Sequence, residues 1–316
     1  MVSRPVASSG AVLYFGDPRG ALELLKRGVE LCGIVHGRRG GEGYRSLLKA
    51  IDERYGLKRF PRWQKPDLSD PELISALRSL RPALLISGFY PRVIPPEVLA
   101  IAPGYNVHPS DLPKWRGPDP AYWVIASGEP ETAICIHQLS EELDEGAIAA
   151  RYPVKVRARE SGVALARRLE RRSAELLGAW VAELFQRAAR ARCLVTELEL
   201  KLEPQRGEPS WAPLVAPDEL EIDWELSALE VERLVRAASP YPGAYSALDT
   251  GFSPELLVIY SGRAHSDERL ESLPIGAPVL IKGECYIKCG SGAYQLGRIK
   301  VGRREMSGAE LARLLS

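Results

Sequence analysis

The chain has 316 residues, 45% of them hydrophobic and 26% charged, with 42 Lys and Arg against 41 Asp and Glu. That is ordinary globular composition, long enough for about two domains. It holds no apolar run near the ~20 residues a membrane span needs, and its five scattered cysteines, an odd number, exclude a disulfide framework and suit a reducing cytoplasm.

The N-terminal MVSRPVASSGAVLYFG lacks the apolar core and cleavage pattern of a signal peptide, so a cytoplasmic location is expected. Within it AVLYFG (Ala11 to Gly16) is a short apolar run followed by turn signals, the pattern of a buried strand. ALELLKRG has helical spacing, ELCGIVHG reads as a second strand, and YRSLLKAIDERYG is an amphipathic helix closed by Gly56. PELISALRSLRP is a helix, ALLISGFY a strongly apolar strand, PPEVLAIAP a short helix, GYNVH a strand and DPAYWVIASGE a helix. TAICIHQLS and AIAARYPVKV complete the sheet. Strands alternating with helices in this way predict a Rossmann-like α/β domain, with a mostly parallel sheet covered by helices on both faces. Ligands of such sheets sit beyond the C-terminal strand ends.

A long helix is expected over Arg159 to Arg192, its arginines forming a solvated face. LEPQRGEPSWAP, rich in Pro and Gly, reads as a linker, which divides the chain into a catalytic domain over 1–207 and a C-terminal domain over 208–316. In the latter EIDWELSALEVERLVRAA predicts a helix, PYPGAYSAL, ELLVIYSGRA, APVLIKGECYIKCG and YQLGRIKV four or more strands, and SGAELARLL a closing helix, together a small OB-like β-barrel domain. Cys285 and Cys289 in CYIKC share a strand face without a second Cys or His pair, so core packing is expected there and no metal. Residues 208–316 carry 11 Lys and Arg against 16 Asp and Glu, a net of −5, which leaves the rest near +6. A domain that lies on nucleic acid calls for the opposite sign.

The chemistry concentrates in NVHPSDLPKWRGPDP, Asn106 to Pro120. On a strand Asn106 and His108 point to one face, and the prolines and Gly117 that follow keep the next stretch non-helical. Downstream, HQLSEELDEGAI puts Asp144 in a short loop ending at Gly146. Each piece has a bland reading, a structural histidine and an Asp-x-Gly turn. Together, an amide donor, an imidazole and a carboxylate in one sheet suit acyl transfer to an amine. With no Ser or Cys nucleophile in place, direct attack by the amine is expected rather than an acyl-enzyme.

At these residues the chain resembles the N10-formyltetrahydrofolate-dependent formyltransferases, whose N-x-H strand, Ser-x-Leu-Pro turn, basic-aromatic-Arg-Gly segment and D-x-G loop recur in order. Here they are Asn106-Val107-His108, Ser110-Asp111-Leu112-Pro113, Lys114-Trp115-Arg116-Gly117 and Asp144-Glu145-Gly146. LEIDWELSALEVERLVRAASPYPGAYSAL and GRIKVGRREMSGAELARLL resemble the C-terminal domain of the methionyl-tRNA and amino-sugar formyltransferase types. The resemblance implies that Asn106 polarises the formyl group, His108 acts as acid/base, and Asp144 orients it and takes the amine proton, directly or through water. It places the pterin of N10-formyltetrahydrofolate against Val93, Ile94 and Pro95, the turn Ser110, Asp111, Leu112 and Pro113, and the loop Ser140, Glu141, Glu142 and Leu143.

The acceptor is less constrained. Where methionyl-tRNA formyltransferases carry a long basic loop after the second strand, this chain has only HGRRGGEG, with Arg38 and Arg39. That favours a small amine acceptor such as a nucleotide-linked amino sugar over tRNA, while a formyltetrahydrofolate hydrolase, with water in place of the amine, shares the same three residues. KRFPRWQKP has some similarity to such a hydrolase domain. A folate-binding or scaffold protein without catalysis would be expected to have lost them. Asp111, Glu142 and Glu145 depart from the family's common form and either attract a cationic amine or face solvent. Arg116 either contacts an acceptor phosphate or pairs with one of these carboxylates.

Overall fold

The computed structural model describes residues 10–37, 42–56, 60–249, 254–266, 270 and 272–315. Two compact units divide them. One comprises residues 1–118, 133–153 and 168–211, the other 119–132, 154–167 and 212–316.

The first unit is built on strands β1 (Val12–Gly16), β2 (Leu31–His36), β3 (Arg62–Gln64), β4 (Leu84–Gly88), β5 (Gly104–His108), β6 (Glu131–Gln138) and β7 (Ile148–Lys155), in the order β3-β2-β1-β4-β5-β6-β7. β1 and β4 lie in the middle, and every residue of both is buried. This accounts for their unbroken apolar sequence, VLYFG and LLISG, where a half-exposed strand would alternate. Their ends approach closely: Gly16 has φ +128°, and a Cβ there would lie 1.9 Å from the Gly88 carbonyl oxygen, so only glycine fits.

Helices α1 (Pro18–Lys26), α2 (Glu42–Tyr55), α3 (Pro71–Ser79) and α4 (Pro96–Leu99) connect the parallel strands. α1 and α3 start alike: an Asp N-cap (Asp17, Asp70) accepts from the N–H two residues on, and Pro at the first helical position presets φ. α3 and α4 cover one face, where Leu73, Leu77 and Val98 pack on Leu13, Phe15 and Leu85. The pairings β3-β2-β1-β4-β5 are parallel, but β6 runs antiparallel to β5, with Asn106 opposite His137 and His108 opposite Cys135. The sheet is mixed at this end, and β3, which the Pro- and Arg-rich sequence around it conceals, forms the opposite edge. Arg38 and Arg39 fall outside the described residues.

Helix α5 (Pro120–Ala126) packs against α7 (Ala228–Ala238) within the second unit, and a long helix, α6 (Gly162–Ala191), follows β7. The rest of the second unit is β-structure. β8 (Ala244–Asp249), β9 (Pro254–Ile259), β14 (Arg298–Val301) and β15 (Arg304–Ser307) form one sheet. β10 (Gly262–His265), β11 (Pro278–Ile281), β12 (Glu284–Lys288) and β13 (Ala293–Leu296) form another, ahead of helix α8 (Gly308–Leu315). All these pairings are antiparallel. Cys285 and Cys289 are fully buried in the core, their thiols pushed up to about 11 by desolvation. Among the described residues no helix is long and apolar enough to cross a membrane.

Candidate active site

Strand β5 delivers two polar side chains to one face, as the i, i+2 spacing requires. Antiparallel pairing adds a third. His137 on β6 stands directly opposite Asn106, so the two side chains leave the sheet together, and Asn106 Nδ2 lies 3.2 Å from His137 Nε2. The His137 Nδ1 is 2.8 Å from the Gln138 carbonyl oxygen, which can only accept. Nδ1 therefore carries a hydrogen, which leaves Nε2 facing the Asn106 amide and the Asp144 carboxylate. His108 and His137 face each other edge-on with centroids 6.5 Å apart.

The carboxylate arrives by another route. Because β6 runs against β5, its C-terminal end lies beside the start of β5, and the β6–β7 loop has to turn back to reach the pair. Asp144 makes that turn in the left-handed region, φ +57°. Gly146 follows, where a Cβ would sit 1.9 Å from the Gln138 carbonyl oxygen. The turn carries Asp144 Oδ2 to 3.4 Å from His108 Nδ1 and Oδ1 to 3.4 Å from both His137 Nε2 and Asn106 Nδ2. The Gly117 N–H donates to Oδ2 at 3.0 Å. His108, His137 and Asp144 are 5%, 2% and 7% exposed, while Asn106 remains half-buried.

Burial pushes the Asp144 carboxyl up. The His108 charge, the hydrogen bond to and charge of His137, and the Gly117 N–H together outweigh it and hold the group well below the usual carboxylate range. For His108 the balance goes the other way: desolvation lowers the imidazole against the opposing pull of Asp144 and of the Trp115 carbonyl. The His108 Nε2–H donates to the Trp115 carbonyl oxygen at 2.9 Å, so Nδ1 of the neutral ring faces the carboxylate. A proton arriving at Nδ1 would meet a fixed negative charge. The cluster thus combines a partly exposed amide with an ionised carboxylate and an imidazole placed to take up a proton.

Sequence reasoning placed Asn106, His108 and Asp144 in one site, and the fold brings them together. It assigned nothing to His137, whose part depends on β6 running antiparallel, nor to the segment taken for a linker. Gln205 donates from Nε2 to the carbonyl oxygens of Asp144 (2.6 Å) and Gly146 (2.9 Å), and Ser210 accepts from the Trp115 N–H at 2.9 Å. Arg116 is buried, pairs with Glu145 and donates to Gln205 Oε1. Asp111 pairs with Arg151, which also donates to the Leu112 carbonyl oxygen. Two of the three added carboxylates are thus neutralised locally, and Glu142 is exposed.

Of the residues expected along the folate, Val93 (61% exposed) and Leu143 (44%) are large apolar side chains left open in the loops after β4 and β6. Such positions fit the flat face of a heterocycle. Pro95 is half-buried, and Glu141 is exposed next to Ser140, whose hydroxyl donates to the Glu142 carbonyl oxygen. Ile94, Ser110, Leu112 and Pro113 are buried. Among the described residues no group of three or more His, Cys, Asp or Glu is arranged to hold a metal ion.

Residues 42–180 match the family model described as formyl transferase, and residues 215–315 the formyl transferase C-terminal domain. A methionyl-tRNA formyltransferase of Thermosynechococcus vestitus is 33% identical over 245 residues, 73% of this chain and 69% of the relative. HypX of Aquifex aeolicus in complex with tetrahydrofolic acid matches with a TM-score of 0.57 at 19% identity, over 98% of this chain and 48% of HypX, about half of that protein's length. An N-formyltransferase of Helicobacter canadensis in complex with folinic acid and dTDP-3-aminofucose gives 0.63 at 12% identity, over 92% of this chain and 98% of the other. At these identities the two structures speak to the fold alone.

Proposed function

This chain belongs to the formyl transferase family, and from that premise we propose that it draws its formyl group from N10-formyltetrahydrofolate and that Asn106, His108 and Asp144 carry the transfer to the primary amine of a small acceptor, with a nucleotide-linked amino sugar as the class that fits best. The observation that carries this reading is the buried contact set in which one carboxylate reaches His108, His137 and Asn106, each at 3.4 Å.

The chemistry runs as follows. The amine nitrogen attacks the formyl carbon, and the carbonyl electron pair moves onto oxygen. The Asn106 amide donates to that oxyanion, exchanging its long 3.4 Å contact with Asp144 for the new acceptor. The amine proton passes to the Asp144–His108 pair, directly or through water, and the paired charges hold it. Collapse re-forms the carbonyl and breaks the bond from formyl carbon to N10, which takes a proton as it leaves. A formamide and tetrahydrofolate result. Val93, Pro95, the Ser110–Pro113 turn and the Ser140–Leu143 loop would hold the pterin, the buried members of this set through backbone groups.

Two observations support a small acceptor. Residues 208–316 carry a net charge of −5, unsuited to a phosphate backbone. Only residues 37–41 separate β2 from α2, too few for an arm that enters a tRNA acceptor stem. A second reading, methionyl-tRNA as acceptor, is favoured by the relative at 33% identity.

An acceptor panel with N10-formyltetrahydrofolate decides between them: nucleotide-linked amino sugars, charged initiator tRNA, amino acids and a no-acceptor control. Turnover with an amino sugar is expected. Turnover with tRNA alone would replace the proposed acceptor, and donor consumption without acceptor would indicate the hydrolase. On the acceptor that works, His108→Ala should lose about 10²–10⁴-fold in kcat. Wild-type turnover in that variant would refute its acid/base role.

A further inference from the structure

The Asp144 carboxylate depends on a backbone conformation that a non-glycine residue rarely holds, so something must fix the turn. Gly117 reaches only the carboxylate oxygen. Among the described residues, the side chain that grips the Asp144–Gly146 backbone is Gln205, from the Pro- and Gly-rich segment that follows α6. All four hydrogen-bonding positions of its amide are engaged. Both Nε2 hydrogens go to the turn, to the carbonyl oxygens of Asp144 at 2.6 Å and Gly146 at 2.9 Å. Its Oε1 accepts twice from Arg116, from Nη2 at 2.9 Å and Nε at 3.3 Å. The remaining guanidinium nitrogen of Arg116, Nη1, pairs with Glu145, the residue between the two carbonyls that Gln205 grips.

The result is a closed ring: Gln205 to the Asp144–Gly146 backbone, Glu145 to Arg116, and Arg116 back to Gln205. Arg116 also fixes the other side of the site, since its neighbours Trp115 and Gly117 supply the acceptor for His108 Nε2 and the donor for Asp144 Oδ2. The same segment is sewn to that turn by backbone as well, because Arg116 N–H donates to the Ser210 carbonyl oxygen at 2.9 Å.

We infer that Gln205 is a positioning residue for formyl transfer: its amide clamps the left-handed Asp144 turn and, through Arg116 and Glu145, sets the carboxylate against His108. This rests on the proposed role of Asp144. The two ends of the amide do different work. Nε2 holds the turn with two donors, which a carboxylate lacks; Oε1 holds Arg116, and a carboxylate would serve as well. Gln205→Glu is nearly isosteric, keeps the second function and loses the first.

The test is a double-mutant cycle on kcat, read by single-turnover kinetics with enzyme in excess so that slow variants register. Gln205→Ala and Gln205→Glu are each made in the wild-type and in the Asp144→Asn background. In the wild type both should lower kcat about 10²-fold, the scale of a displacement near 1 Å. In the Asp144→Asn background the same changes should cost less than about 3-fold, because nothing remains to be aimed. An equal loss in both backgrounds would mean that Gln205 acts independently of Asp144, as a merely structural residue does, and overturns the inference. So does wild-type turnover in Gln205→Glu, which also covers the case in which Gln205→Ala fails to fold. Wild-type turnover in Asp144→Asn alone would instead remove the catalytic reading beneath it.

Discussion

At the scale of single residues, Asp144 ties stability to pH as well as geometry to chemistry. In the unfolded chain its carboxyl takes up a proton near pH 4. In the folded protein the His108 and His137 contacts and the Gly117 N–H, opposing burial, hold off protonation to well below that. Between these limits the unfolded state binds more protons, so the contribution of Asp144 is complete above about pH 4 and is lost as pH falls through the window. Asp144→Asn titrates nothing at this position. Its Tm should therefore lie furthest from wild type at pH 5 and converge on it towards pH 2.5, as thermal unfolding followed by circular dichroism would read. A constant gap across that range would show that the carboxylate is not held ionised. The residues of this site were not equally legible. Asn106, His108 and Asp144 are named by their spacing and order. His137 is equally close to the carboxylate, but in sequence it is one polar residue at the end of an apolar run. Only the strand opposite gives it a partner.

At the scale of elements, strand direction is what the sequence conceals. The apolar runs of β1 and β4 announce themselves because both faces are covered. The direction of β6 is a tertiary outcome, and it decides whether the Asp144 loop needs a reversal. β3 is three residues in a Pro- and Arg-rich stretch and is strand only because β2 offers an unpaired edge. The segment after α6 has a linker's composition. It is pinned by side chains and by backbone bonds such as Glu203 N–H to the Ile148 carbonyl, none of which periodicity reports. Packing beneath the Ser110–Pro113 turn carries a prediction at this scale. Leu112 is fully buried with Ala133, Cys135 and Ile148 in a cluster that joins the turn to β6 and β7. Leu112→Ala removes that anchor and leaves a void, which should cost about 2–5 kcal/mol and lower the midpoint of denaturant unfolding. A change within ~0.5 kcal/mol would mean that the turn does not depend on this cluster.

At the scale of the whole molecule the decisive quantity is the distribution of charge. Net charge is only +1, but residues 208–316 carry −5 and the remainder near +6. Within the site, Asp111 and Glu145 are matched by Arg151 and Arg116, so they add little field for an incoming ligand to feel. An enzyme whose acceptor is a polyanion should depend steeply on ionic strength, because each neutralised phosphate releases counterions. Six or more contacts cost roughly 10³-fold or more between 50 and 200 mM salt. A small nucleotide-linked amine makes one or two such contacts, and by the same slope kcat/KM should fall by roughly 3- to 10-fold over that interval. Measured with a nucleotide-linked amino sugar, kcat/KM should therefore stay within about 10-fold across the range. The same series with charged initiator tRNA serves as the opposing arm. Efficient turnover on tRNA that collapses with added salt, beside little turnover on the sugar at any salt, would transfer the acceptor assignment to tRNA.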